Sequence, residues 1–109
     1  MNKFIIEIDE DNNYILKMGN VDMHSELVSF ATTPIGGGHY YIDLENKKIY
    51  LYGESYKYGK VKIEDLKKVV EQDNILPISV KSFELYYLDI PEYKFSKNPA
   101  ILLKYLKIK

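Results

Sequence analysis

The sequence contains no cysteine, and this absence excludes disulfides, thiolate zinc sites and cysteine nucleophiles. It also lacks tryptophan and arginine, so all 15 basic residues are lysines. An anion site in this chain must therefore use lysine, histidine or backbone N–H groups instead of a bidentate guanidinium. Only two histidines are present, too few for a structural zinc site without thiolates. We therefore expect no metal and no cofactor.

Long apolar runs and a strong charge of one sign are missing as well. The formal net charge is −1, which argues against general nucleic-acid binding. No stretch reaches membrane-spanning length, and the first residues lack the features of a signal peptide. Together with the missing cysteine, this leads us to expect a cytoplasmic protein. With 109 residues, 46% of them hydrophobic, the chain is expected to form a single domain (1–109).

The charges that are present are unevenly distributed. Residues 1–26 carry six carboxylates against two lysines, whereas residues 92–109 carry five lysines against one glutamate. Both stretches are interpreted as solvated surface.

Alternation of apolar and polar residues predicts two β-hairpins. The first covers residues 4–18, with a turn cluster at residues 9–13. The second covers residues 39–52, around the polar turn 45–48. In that hairpin one face is apolar and expected to meet the core: Tyr40, Ile42, Leu44, Ile49 and Leu51. The opposite face, expected to be the more exposed one, carries the tyrosines Tyr41, Tyr50 and Tyr52.

Helical spacing of apolar residues predicts a helix over residues 63–73. Residues 78–90 are predicted to be a strand, and Asn98 is predicted to cap a C-terminal helix over residues 100–107. Residues 21–33 fit either a short helix or a short strand. The order of these elements predicts an α+β domain with a mixed sheet of about five or six strands and two or three helices.

Two glycine-containing segments mark the candidate site. Three consecutive glycines occupy residues 36–38, which indicates either close approach of the backbone to a ligand or another strand, or a bend entering a strand. The loop that follows the second hairpin begins at Gly53, contains Ser55 and ends at Gly59. Successive N–H groups in such a loop form an anion nest that needs no arginine.

These segments resemble the Janus/Ocnus-type protein phosphohistidine phosphatases. The resemblance rests on the glycine triplet, the lysine-containing turn 46–48, and the run Tyr-Gly-x-Ser-x-x-Tyr-Gly at residues 52–59. It implies metal-independent hydrolysis of a phosphoryl group, with His24 as the general base. It also implies a phosphate site drawn from Gly53, Ser55, Tyr56, Lys57, Gly59 and His39, the last standing where the family usually has arginine. The implied partner is a phosphorylated protein or a small phosphate compound. No contact with a membrane is expected.

The chemistry of that assignment is consistent with general principles. A histidine near its ordinary pKa of about 6.5 can accept a proton from water at neutral pH. Each residue also has a structural alternative: His24 as a surface or capping residue, His39 as a strand residue, and Ser55 as a turn residue.

Two other functions remain open at this point. His24 lies only twelve positions before Gly36, fewer than the long helix and strand of the family require. The chain is therefore alternatively a catalytically silent relative that binds phosphate or a protein partner, as a regulatory or immunity-type module. A third hypothesis is stacking of single-stranded RNA on Tyr41, Tyr50 and Tyr52, which the charge balance disfavours.

Overall fold

The computed structural model describes residues 1–109 and contains one mixed sheet of seven strands. The strands are β1 (Asn2–Ile8), β2 (Tyr14–Asn20), β3 (Thr33–Asp43), β4 (Lys48–Tyr52), β5 (Ile75–Leu76), β6 (Glu84–Tyr87) and β7 (Leu106–Lys107). Their order across the sheet is β5-β2-β1-β3-β4-β6-β7. The helices are α1 (Ile63–Gln72) and α2 (Pro99–Leu102), with 3₁₀ turns at His24–Leu27, Ile78–Val80 and Glu92–Lys94. The predicted α+β domain is confirmed, with slightly more strands than expected.

Both predicted hairpins are confirmed. β1 and β2 pair antiparallel around a turn in which the Asp9 carboxylate accepts the N–H groups of Asp11 and Asn13 at 2.9 Å. β3 and β4 pair antiparallel with Tyr40 opposite Leu51. The order of strands places β1 beside β3, so the two hairpins share one sheet.

One face of the sheet, called the aliphatic face below, is covered by α1. The helix ends at Gln72, one residue before its predicted end, and buries Leu66 and Val69 against the sheet. The sheet residues that form this core come from six strands and include Phe4, Ile6, Leu16, Met18, Tyr40, Ile49, Leu51, Ile75 and Leu85. No helix of the chain is long and apolar enough to cross a bilayer.

The opposite face, called the aromatic face, differs from the prediction. Tyr50 and Tyr52 are buried, with only 5% and 8% of their surface exposed. The chain after β6 folds back over them: the Phe95 ring stacks on Tyr52 at 4.2 Å, and the Tyr105 ring meets Tyr50 edge-on at 5.1 Å. We call residues 88–105 the C-terminal cover. Because this cover packs on Tyr50 and Tyr52, only Tyr41 of the three tyrosines in the RNA-stacking hypothesis remains partly exposed.

The strand predicted over residues 78–90 and the helix predicted over residues 100–107 were wrong in their extent. Residues 78–90 are not one strand, because the first three form a 3₁₀ turn and only Glu84–Tyr87 pairs, parallel to β4. Asn98 does cap a helix, accepting the Ala100 N–H at 2.9 Å, but that helix stops at Leu102. The chain then pairs with the free edge of β6, since unpaired backbone groups at a sheet edge favour a partner strand.

Two further side chains lie where the sequence did not place them. Leu44, expected in the core, is 73% exposed in the hairpin turn. Glu7, expected in solvated surface, is completely buried. Its Oε2 accepts the Ser29 N–H at 3.0 Å and the Thr32 hydroxyl at 2.7 Å, so the carboxylate anchors the loop between the first 3₁₀ turn and β3.

Candidate functional site

The glycine triplet lies inside β3, between β1 and the segment that follows β4. A Cβ atom on Gly36 would lie 2.7 Å from the Lys60 carbonyl oxygen, and one on Gly38 would collide with the Tyr52 carbonyl oxygen. A Cβ on Gly37 would lie 3.1 Å from Cδ2 of His24. The triplet therefore permits close approach of three neighbouring segments. The irregularity in the ladder lies just before it, between residues 34 and 36.

His24 begins the 3₁₀ turn His24–Leu27, so the stretch 21–33, which fitted either a short helix or a short strand, contains a short helical turn. The His24 ring packs over Gly37. Its Nε2 lies 2.8 Å from the Gly38 carbonyl oxygen. Because a carbonyl only accepts, Nε2 carries the proton and a neutral ring keeps its lone pair on Nδ1. Nδ1 of His24 makes no hydrogen bond in the chain. It is not one of the buried polar atoms that lack a partner, since these belong to Glu7, Tyr105 and Lys109, so Nδ1 is accessible to solvent.

Burial holds the pKa of His24 below its ordinary value, against the Gly38 carbonyl, which raises it. The Lys3 ammonium lowers it further, and the Glu92 carboxylate partly offsets this. The ring is therefore neutral at pH 7, as a general base must be.

Backbone hydrogen bonds join Ser55 to Gly59 within the loop at residues 53–59, and both residues also bond to Gly37 of the triplet. Gly53 and Gly59 have left-handed φ angles of 72° and 78°, which favour glycine. The Ser55 N–H donates to the Gly37 carbonyl at 3.0 Å, and the Ser55 hydroxyl oxygen accepts the Tyr58 N–H at 3.0 Å. Ser55 is thus a buried residue that shapes the loop.

The tip of this loop leaves two backbone donors free. The N–H groups of Tyr56 and Lys57 donate to no acceptor in the chain, while those of Ser55, Tyr58 and Gly59 are all engaged. Two neighbouring free N–H groups in a turn are the donor arrangement of an anion nest.

A cavity of about 410 Å³ brings the histidine and the loop together. Of the residues predicted from sequence, His24, Ser55, Tyr56 and Lys57 all line it. Gly53 and Gly59 do not line it, and they act by setting the shape of the loop.

Four other residues complete the cavity wall: Lys3, Asp22, Met23 and Ser25. Sequence reasoning missed Lys3, which supplies a cation and whose Nζ hydrogen-bonds to the Asp22 carbonyl. Nothing local marks this lysine, because only the pairing of Lys3 with His39 across β1 and β3 brings it to the site. Lys60, the first residue after the loop, does not line the cavity and pairs with Asp89 at 3.0 Å.

His39 does not line the cavity. It is buried, with Nε2 3.0 Å from Oε2 of Glu92 and its ring centroid 5.6 Å from that of His24. Burial lowers the pKa of His39, the Glu92 carboxylate raises it, and His24 and Lys3 lower it. The structure therefore places this residue behind the candidate base and outside the cavity, where its ring lies beside Gly53 at the start of the loop.

Comparisons with known proteins agree with the motif at residues 36–59. Searches against curated proteins and against solved structures returned no match. The sequence model of the Janus/Ocnus family matches residues 6–75, a range that holds His24, the glycine triplet, the loop and α1. Because this match covers well over half of the chain, the protein belongs to the Janus/Ocnus family.

Proposed function

We propose that this protein is a phosphohistidine-phosphatase-like hydrolase that removes a phosphoryl group without a metal. The observation that carries the proposal is the shared cavity, which is lined by the neutral His24 and by Tyr56 and Lys57, whose backbone N–H groups have no acceptor in the chain. Membership of the Janus/Ocnus family supports the same assignment.

The loop supplies the phosphate contacts in this proposal. The N–H groups of Tyr56 and Lys57 would bind phosphoryl oxygens, and the ammonium groups of Lys57 and Lys3 would balance their charge. Ser55 contributes through the Tyr58 N–H, which its hydroxyl oxygen fixes. Its remaining hydroxyl proton is free to donate to the anion.

His24 supplies the proton acceptor. Water attacks phosphorus, an O–P bond forms, and the bond from phosphorus to the leaving nitrogen breaks. The proton of the attacking water passes to Nδ1 of His24, and the leaving nitrogen takes a proton from solvent. The hydrogen bond from Nε2 to the Gly38 carbonyl keeps the ring in the tautomer that this step requires.

The rim of the cavity favours a phosphorylated protein over free phosphate. Met23 and Tyr56 line the cavity, yet Met23 is 61% exposed and Tyr56 is fully exposed. Large apolar side chains held in solvent beside a polar site are typical of contacts to a peptide.

The second candidate, a relative that binds phosphate without turnover, rests on the short spacing of twelve positions between His24 and Gly36. The exposed residue Asp22 lines the same cavity, and a carboxylate there opposes an anion. We therefore expect Asp22→Asn to tighten phosphate binding, whichever of the two functions holds.

The experiment has a binding half and a turnover half. Titration with inorganic phosphate, followed by amide NMR shifts, should move the Tyr56 and Lys57 signals. Ser55→Ala should weaken that binding by about 1–3 kcal/mol, the scale of a lost hydrogen bond to a charged group. Absence of shifts in residues 53–59 at millimolar phosphate would remove both candidate functions.

Hydrolysis of a phosphohistidine peptide then separates the two. His24→Gln should abolish turnover and leave phosphate binding largely intact. Lys67→Gln, which changes an exposed side chain on α1, is the matched control and should do neither. Binding without turnover in the unmodified protein would establish the silent relative.

A further inference from the structure

The C-terminal cover reaches the site although it lies beyond the family match. The match ends at residue 75, whereas Glu92 begins the 3₁₀ turn at the start of the cover. Its carboxylate nevertheless meets the buried His39 ring, with Oε2 3.0 Å from Nε2. A partly exposed carboxylate from a late segment thus contacts an imidazole in the middle of the sheet.

The cover is held in place on both sides of this contact. The Gly53 N–H, at the start of the phosphate loop, donates to the Ile90 carbonyl at 2.9 Å. The Leu88 N–H donates to the Leu51 carbonyl at 3.1 Å, and Phe95 stacks on Tyr52 at 4.2 Å. With these contacts on either side of it, Glu92 has little freedom to leave His39.

The His39 ring connects Glu92 to His24, which lines the cavity. Its ring lies between Tyr52, with centroids 6.1 Å apart and planes at 27°, and His24, with centroids 5.6 Å apart and planes at 79°. No hydrogen bond joins the two imidazoles, so their interaction consists of edge-to-face packing and the electrostatic field.

We propose that Glu92 and His39 are positioning residues for His24. The carboxylate accepts the Nε2–H of His39 and thereby fixes its tautomer and plane, and the His39 ring holds His24 over Gly37. Only the His39 ring separates the negative charge of Glu92 from His24, and this charge raises the proton affinity of His24. This inference rests on the proposed role of His24.

Several charged groups face His24 from the elements packed around it. Lys3 on β1, Lys57 in the loop and His39 on β3 disfavour the protonated ring, whereas Asp22 and Glu92 favour it. Glu92 is the only carboxylate among them whose position is fixed by a buried partner. Removing its charge should lower the pKa of both histidines and make His24 a weaker base.

The test uses the intact protein and does not depend on phosphatase activity. With only two histidines, the ring signals in a ¹H–¹³C spectrum are assigned from the single variants His24→Gln and His39→Gln. Each ring is then titrated against pH in the unmodified protein, in Glu92→Gln and in Glu71→Gln. The Glu92→Gln amide removes the charge and keeps one oxygen as an acceptor for His39, and Glu71 is an exposed carboxylate on α1.

We expect Glu92→Gln to lower both titration midpoints, that of His39 by more, and Glu71→Gln to change neither. We expect His39→Gln to weaken the NMR cross-peaks between the His24 ring and Gly37. The proposal is overturned if Glu92→Gln leaves the His24 midpoint where Glu71→Gln leaves it, or if His39→Gln leaves those cross-peaks unchanged. If His24→Gln retains full hydrolysis, the proposed function fails instead, and the titration result stands by itself.

Discussion

The two faces of the sheet bury their residues in different ways. The aliphatic face is closed by α1, a ten-residue helix within the family match, whose Leu66 and Val69 sit on branched side chains. The aromatic face is closed by the C-terminal cover, which lies outside that match and contributes Phe95 and Tyr105 together with Leu88, Ile90, Ile101 and Leu102. A single regular helix covers one face, and an irregular segment covers the other.

The difference shows how strongly residue type constrains environment. Leucine and isoleucine in a paired strand favour the core, and Ile49 and Leu51 are completely buried as predicted, whereas Leu44 in the hairpin turn is exposed. Tyrosine is stable half in water or fully packed, and its location depends on whether another segment arrives to cover it. Tyr50 is buried because Tyr86 and Tyr105 pack against it at 5.2 and 5.1 Å.

The largest expected effect breaks the aliphatic face. Leu51 is completely buried opposite Tyr40, and Leu51→Asp would place an unpaired carboxylate there. We expect a loss of about 4 kcal/mol of unfolding free energy, the scale of an uncompensated buried charge. Chemical denaturation followed by circular dichroism measures it. A variant as stable as the unmodified protein would show that this face is not the core.

Breaking the aromatic face should cost nearly as much. Tyr50→Ser removes a ring that packs on two other tyrosines, and we expect a loss of about 3 kcal/mol. Tyr93→Ser is the control, because Tyr93 is 83% exposed and its loss should change stability by less than about 0.5 kcal/mol. Equal denaturation midpoints for the two variants would mean that the cover does not bury Tyr50.

A smaller effect is expected from the cover itself. Phe95 is half-buried and stacked on Tyr52, so Phe95→Ala should cost about 2 kcal/mol. Amide hydrogen exchange should also become faster in residues 88–95 than in α1. Phe30→Ala serves as the comparison, since Phe30 is fully exposed. If exchange increases equally on both faces, the two covers do not open independently.

The smallest effect concerns pH. Burial lowers the pKa of His24 and of His39, so the unfolded chain binds protons more readily than the folded one. Unfolding free energy should therefore be greatest above about pH 6.5 and fall as the pH drops below that value. The double variant His24→Gln/His39→Gln should flatten this slope in denaturation curves between about pH 7.5 and 5.5. An unchanged slope would show that neither histidine is the cause.

The fold could be predicted where local pattern and burial agree. Both hairpins and α1 follow from alternation and helical spacing, since each buries one face regularly. Glu7 could not be placed, because its partners Ser29 and Thr32 lie in a loop whose path the sequence does not specify. β7 was missed because only two residues pair, and their preference is set by the free edge of β6.

The loop of the candidate site could be predicted from the sequence, whereas the other residues that line the cavity were harder to predict. The glycine-flanked run at residues 52–59 is a contiguous motif, and the structure shows that it leaves Tyr56 and Lys57 as free donors. Lys3, by contrast, reaches the cavity through strand register alone. The contact between His39 and Glu92 could not be predicted either, because the two residues are far apart in sequence.

The glycine triplet has a consequence for how much substitution the fold tolerates. Each of its members touches a different neighbour, so a mutation there displaces β1, the first residues after the loop, or the end of β4. His24 lines a cavity, and replacing it need not move any strand. An intact triplet is therefore a mark of the architecture, and any activity must be judged from His24 and the loop.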